Sequence, residues 1–139
     1  MRNIQEVVKK FRETGLKITP QRLSIFKLLR DNHSHPSAED IYGEILKIHP
    51  SISFTTVYKT LQTLRDMGEI NELNIDPERA HYDPDISEHA HTYCSSCKQI
   101  GDLKHASGTT GMMSFKDGLD GFDVRNVQVH AVGLCRECQ

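Results

Sequence analysis

No window of this 139-residue sequence approaches the roughly 18 consecutive apolar residues that a membrane-spanning helix requires. Met1-Arg2-Asn3-Ile4-Gln5-Glu6 also lacks the apolar run of a secretory signal, so a soluble, cytoplasmic protein with no membrane partner is expected. Apolar residues make up only 37% of the chain, little for one well-filled core and more in keeping with two small lobes. Positive charge is not in surplus either. Seventeen Lys+Arg against 19 Asp+Glu give a formal −2, which argues against a grip on nucleic acid through global charge. The deficit is uneven: residues 1–82 carry 12 basic and 11 acidic side chains, residues 83–139 carry 5 and 8, so any basic face belongs to the first part. Cysteine is absent before residue 94, whereas five of the eight histidines follow residue 80. Metal-binding residue types are therefore concentrated in the second half.

What is present begins with helices. Ile4, Val7, Val8 and Phe11 have amphipathic spacing over residues 3–14, and Gly15 is a natural stop. Thr19-Pro20 supplies an N-cap with proline at the first helical position, followed by an apolar face from Leu23 to Leu29 and a helix to about Asp31. Ser37 caps a third helix, whose Glu39 and Asp40 favour the positive end of the helix dipole and whose Ala38, Ile41, Tyr42, Ile45 and Leu46 form the buried stripe. Ser53 caps a fourth, with Val57, Leu61 and Leu64 on one side and an end near Met67-Gly68. Its other side shows Thr55, Thr56, Tyr58, Lys59, Gln62, Thr63 and Arg65, with no acid until Asp66.

Residues 69–75 and 80–83 then alternate as two strands around the turn Asp76-Pro77-Glu78-Arg79. Helices followed by a hairpin make a winged helix-turn-helix. A polar helix face usually means only exposure, but its place before a hairpin favours contact with DNA. The expected organisation is α+β: a winged-helix domain over 1–83, a hinge over 84–90 and a small α/β domain over 91–139. In the last of these, residues 91–94 and 98–103 read as two strands joined at a CxxC turn, residues 122–132 as a third strand, and at most 112–117 as a short helix. The glycine-rich stretch from 107 to 121 has little helix propensity.

Cys94-Ser95-Ser96-Cys97 and Cys135-Arg136-Glu137-Cys138 each point two sulfurs at one place, and together they supply the four thiolates of a closed, structural zinc site. In a reducing compartment zinc is favoured over disulfides or free thiols. A redox dithiol of the thioredoxin kind would need a βαβ unit, which is not evident. Four sulfurs suffice for zinc, which leaves His89 and His91 without a role in that site. Two apart on a strand, they project from one face and could bind one ion. Asp83, Asp102 and His35 could reach the same place. Such a nitrogen and oxygen set suits iron(II), manganese(II), cobalt(II) or zinc(II) and not copper(I). Each residue alone also has a mundane reading, as a hydrogen-bonded histidine or a turn-initiating aspartate.

Gly15-Leu16-Lys17-Ile18-Thr19-Pro20-Gln21-Arg22, His35-Pro36-Ser37-Ala38-Glu39-Asp40-Ile41-Tyr42, Thr56-Val57-Tyr58-Lys59-Thr60-Leu61, His89-Ala90-His91 and the two CxxC pairs resemble, over nearly the whole chain, the ferric-uptake-regulator family of metal-dependent repressors. That resemblance implies a homodimer with N-terminal winged helices, a C-terminal dimerisation lobe, zinc on Cys94, Cys97, Cys135 and Cys138, and a regulatory metal on His35, Asp83, His89, His91 and Asp102. Aspartate at position 102 resembles the peroxide-sensing branch, in which iron(II) reacts with peroxide and a ligand histidine, His35 or His89 here, is oxidised. Asn126-Val127 stands where many relatives carry histidines of a further metal site. On a double-stranded, pseudo-palindromic operator, Thr55, Thr56, Tyr58 and Lys59 are expected in the major groove, with Lys17 and Arg22 on the backbone. Iron(II) or manganese(II) is the expected regulatory ion. An iron- or zinc-responsive uptake repressor is the alternative within the family. A metal-dependent hydrolase is the rival outside it; with the site filled by protein ligands and no separate general base evident, no enzymatic activity is expected.

Overall fold

The computed structural model describes residues 1, 3–103, 121–123 and 127–139. The chain divides into two compact units, Met1–Ile86 and Ser87–Gln139. The first holds four helices, α1 (Ile4–Glu13), α2 (Pro20–Leu29), α3 (Ala38–Leu46) and α4 (Phe54–Asp66), and a hairpin of β1 (Asn71–Leu73) and β2 (His81–Asp83). The second holds β3 (Ala90–Cys94), β4 (Ile100–Leu103) and β5 (His130–Gly133).

Each helix starts where its sequence offers a side-chain acceptor to the free amides of a first turn. Thr19, Ser37 and Ser53 accept from the backbone N–H groups of Arg22, Asp40 and Thr56, as Asn3 does from Glu6. At α3 the Asp40 carboxylate also accepts from the Ser37 amide, which completes a capping box. Gly15 and Gly68, with φ of +81° and +70°, end α1 and α4 in the left-handed conformation that glycine adopts without steric cost.

The apolar stripes meet in one core of Val7, Phe11, Ile25, Phe26, Leu29, Ile41, Ile45, Val57, Leu61, Leu64 and Ile70, with the Phe11 and Phe26 rings edge to face at 5.2 Å. Thr60, read from sequence as neither face, is buried with them and satisfies its hydroxyl on the Thr56 carbonyl at 2.6 Å. Arg65 is drawn off the polar face of α4: its guanidinium lies 2.5 Å from Glu72 on β1 and 3.0 Å from Asp66. That pairing braces helix to wing. The α1 end of the unit is tied by Lys10, which donates to the Met67 carbonyl and lies 3.5 Å from the fully buried Glu69.

In the second unit the sheet order is β4-β3-β5, with β3 antiparallel to β4 and parallel to β5. The expected strand over 122–132 is corrected: β5 covers only His130–Gly133, and residues 127–129 precede it without regular structure. Its length follows from its partner, since the parallel register runs only from His91↔His130 to Cys94↔Gly133, the span that the short β3 can pair. The short helix expected over 112–117 and the glycine-rich residues 107–120 lie outside the described residues.

Candidate metal centres

Parallel pairing decides where the cysteines go. β3 and β5 end side by side, each runs directly into a CxxC turn, and so both turns arrive at one end of the sheet. One sulfur from each of the four cysteines lies within 4.8 Å of the others, and Cys97 Sγ is 3.7 Å from Cys135 Sγ. A tetrahedral zinc–thiolate site with bonds of about 2.3 Å needs sulfurs roughly 3.8 Å apart, and a disulfide needs roughly 2.0 Å. The spacing fits zinc, and all four cysteines are free thiols. Backbone amides prepare the site for negative sulfur: the Cys135 N–H donates to Cys94 Sγ at 3.3 Å, and this bond, with help from the Cys97 amide, pulls the Cys94 thiol down to about 6. At Cys97 the Gln99 amide pulls the thiol down, but the neighbouring sulfurs, Cys94 first, together with desolvation push it up to about 11.

On the same sheet, strand periodicity and register build a second donor set. His89 and His91 lie on one face, and the β3–β4 register sets Asp102 directly opposite His91. Asp102 Oδ1 is 3.4 Å from His89 Nε2 and 3.9 Å from His91 Nε2, and the two imidazoles lie 4.4 Å apart. His89 Nδ1–H donates to the Ser87 carbonyl at 2.8 Å, which fixes the tautomer that turns Nε2 toward Asp102.

The first unit carries its own pair. His35 Nε2 lies 3.9 Å from Asp83 Oδ2, both side chains buried, and the Asp85 amide donates to Asp83 Oδ1 at 2.8 Å. Alternation along β2 explains the orientation: Tyr82 enters the core, while His81 and Asp83 point to the other face. His35 has φ of +51°, a left-handed conformation that costs a non-glycine residue about 1–2 kcal/mol and therefore requires support from its surroundings. Sequence reasoning passed over that support. His81, buried, makes a 2.6 Å bond from Nδ1 to the His35 carbonyl, and its Nε2 is 3.3 Å from Asp76 Oδ2. The signal available beforehand was that His81 and Asp83 stand two apart on one strand.

The residues expected at DNA are distributed less evenly. Thr55, Tyr58 and Lys59 are exposed along one side of α4, and Thr56 is partly covered, its hydroxyl 3.0 Å from that of Ser53. Lys17 is exposed in the loop before α2. Arg22 is half-buried: its guanidinium lies 5.7 Å from the Phe11 ring centre and donates to the Lys17 carbonyl at 2.5 Å, so it shapes the loop that presents Lys17. Among the described residues no helix is long and apolar enough to cross a membrane.

Sequence and structure comparisons identify the family. The model of the Ferric uptake regulator family matches residues 13–129. The chain belongs to that family. Its members are metal-responsive transcriptional repressors, with an N-terminal winged-helix DNA-binding domain followed by a dimerisation domain. Among curated relatives, the peroxide-responsive repressor PerR of Staphylococcus aureus (strain Mu50) is 30% identical over 136 residues, 98% of this chain and 91% of the relative. Among solved structures, the Campylobacter jejuni peroxide stress regulator is 33% identical with a TM-score of 0.67, covering 99% of this chain and 100% of the other. The Helicobacter pylori ferric uptake regulator Fur, with three functional metal binding sites, superposes with a TM-score of 0.80 at 20% identity over 99% of this chain and 94% of its own, which shows the shared fold. For such a repressor the two donor sets sort by chemistry: soft thiolates take structural zinc, and imidazole with carboxylate takes a regulatory divalent ion such as iron(II) or manganese(II).

Proposed function

We propose that the chain is a peroxide-responsive repressor: a homodimer that binds a pseudo-palindromic operator while regulatory iron(II) or manganese(II) is bound and loses the operator when a ligand histidine is oxidised. The observation that carries this reading is Asp102 facing both His89 and His91 on the β3–β4 face, an aspartate where the iron-sensing branch more often has glutamate. The similarity to the Staphylococcus aureus and Campylobacter jejuni peroxide regulators supports it.

His35 and Asp83 from the winged-helix unit, with His89, His91 and Asp102 from the second, are the ligands we assign to the regulatory ion; Cys94, Cys97, Cys135 and Cys138 hold zinc. Residues 84–90 act as the hinge between the domains 1–83 and 91–139. Iron(II) bound there would supply the reduction of hydrogen peroxide that leads to one added oxygen on His35 or His89. The chain's own residues do the rest. His89, its Nδ1–H held by the Ser87 carbonyl, keeps Nε2 free of a proton for ligation. Ligands drawn from both units make metal and operator binding reciprocal, so each tightens the other by the same factor. Thr55, Thr56, Tyr58 and Lys59 on α4 serve the major groove, and Lys17, presented by Arg22, serves the phosphate backbone.

The deciding experiment is operator binding by the iron(II) and manganese(II) forms with and without hydrogen peroxide, followed by mass spectrometry. Loss of binding in the iron form alone, with one added oxygen on the peptide holding His35 or His89, is expected. Oxidation confined to cysteine or methionine would refute the ligand-oxidation mechanism, and operator binding unchanged by peroxide in the iron form would leave a metal-uptake repressor of the same family.

A further inference from the structure

The His81–Asp76 pair belongs to neither metal-ligand set, yet it occupies buried space beside His35. Segment 35–37 lies against the wing as a short extra strand: Ser37 pairs antiparallel with His81, and the Tyr82 amide donates to the Pro36 carbonyl at 2.9 Å. At the end of that contact the His35 backbone turns into its left-handed conformation, with φ of +51°. His81 Nδ1–H closes the turn with its 2.6 Å bond to the His35 carbonyl. Behind it, Asp76 Oδ2 lies 3.3 Å from Nε2, and Asp76 is itself fixed by accepting from the Glu78 amide at 2.9 Å. A chain of close polar contacts thus runs from the wing turn, 76–79, through His81 to the backbone of His35. His81 and Asp76 are both buried residues, so neither is there to serve solvent.

We propose that Asp76 and His81 form a positioning relay that holds His35 in its left-handed conformation and so presents its imidazole to the regulatory ion. The inference rests on His35 being a ligand of that ion. A carbonyl oxygen can only accept, so the group opposite it must donate, and His81 Nδ1 meets that need from a strand that also carries Asp83. One short strand therefore supplies a ligand and, two residues earlier on the same face, the support of a second ligand. The relay acts through His35 and touches no ion itself, as the outer hydrogen-bond partners of metal ligands do.

Cobalt(II), whose visible absorption reports ligand number and geometry, is the probe, titrated into the full-length protein with zinc on its cysteines. His81→Leu is expected to weaken cobalt(II) binding by about 10- to 100-fold and to alter the spectrum of the bound ion. His81→Asn, whose side-chain amide still donates to the His35 carbonyl, should recover most of the affinity. Asp76→Ala, at the outer end of the relay, should lose several-fold. Urea unfolding of each metal-free variant gives the fraction folded. An affinity loss fully accounted for by unfolded protein, or His81→Leu binding like the unsubstituted protein, overturns the relay. Should His81→Leu not fold, unchanged affinity in Asp76→Ala overturns it equally. His35→Ala separates the two layers: if it too binds cobalt(II) normally, the ligand assignment has failed, whereas normal binding by His81→Leu alone condemns only the relay.

Discussion

Breaking the cysteine cluster should detach one strand and spare the rest. All four residues of β5 are exposed, so apolar burial gives this strand almost nothing to hold it against β3. What does hold it is the cross-link. Cys97 and Cys135 are 38 residues apart, and in the chain-entropy view a bridge closing a loop of that size removes about 4 kcal/mol of disorder from the open state. Losing the bridge should therefore shift the docking equilibrium of β5 by roughly a thousandfold, at about 1.4 kcal/mol for each factor of ten. Cys135→Ser with zinc chelated is the perturbation, and amide hydrogen exchange is the assay. The reporters are the His91 and Ser95 amides, which donate to the Val129 and Gly133 carbonyls at 3.0 and 2.9 Å. Their protection should fall by up to about three orders of magnitude, while the Tyr82 and Glu69 amides in the winged-helix unit keep theirs. Unchanged protection at His91 and Ser95 would refute the reasoning, because β5 would then be held by something other than the ion.

Asp102→Ala removes the carboxylate facing both imidazoles, and should weaken manganese(II) binding by more than the roughly 10- to 100-fold that loss of an outer partner costs, with the zinc content of the cysteine cluster unchanged; paramagnetic resonance of free manganese measures it. Lys59→Ala should weaken operator binding and lower the slope of log K against log salt by about 0.9 if it meets one phosphate; unchanged affinity would remove it from the interface. Ser37→Ala should cost about 0.5–2 kcal/mol in urea unfolding through loss of the α3 cap. The same substitution tests the Asp40 carboxyl, which partial burial alone would raise but which bonds from the Ser37 hydroxyl and amide hold below its ordinary value. A depressed folded pKa means stability present above the unfolded value of about 3.9 and lost as pH falls through the folded one, so this acid-sensitive contribution should shrink in Ser37→Ala, read by NMR titration of Asp40.

The first unit was legible because its signals are local. Thr19, Ser37 and Ser53 act within three residues of themselves, and Val57, Leu61 and Leu64 need only the helical period to find the core. The interactions that escaped are those whose partner is remote or is backbone. His81 bonds to a carbonyl 46 residues away, and no spacing rule marks a carbonyl. Arg65 looked like one more cation on a DNA-facing helix, but Glu72 on the wing claims it. Arg22 has contacts that its neighbourhood in sequence does not announce, with the Phe11 ring and the Lys17 carbonyl. The length of β5 was misjudged for a related reason: alternating valines propose a strand, but the partner's length disposes of it.

Nine residues, His89 to Cys97, supply both kinds of donor, and the strand geometry explains why they do not interfere. Along β3 the side chains alternate, so His91 and Cys94 leave on opposite faces, and the thiols gather past the strand end where β5 finishes beside them. The separation matters because raw affinity does not discriminate: zinc outcompetes iron(II) and manganese(II) for nitrogen and oxygen ligands as well. A chain that used one mixed site for scaffold and signal would bind zinc there and never respond. By giving zinc four thiolates, with amides on Cys94 ready to stabilise the first negative sulfur, the fold provides a closed site in which zinc holds the scaffold. The imidazole and carboxylate set contains no sulfur, so no thiolate biases it toward thiophilic ions, and availability in the cell decides which divalent metal it answers to.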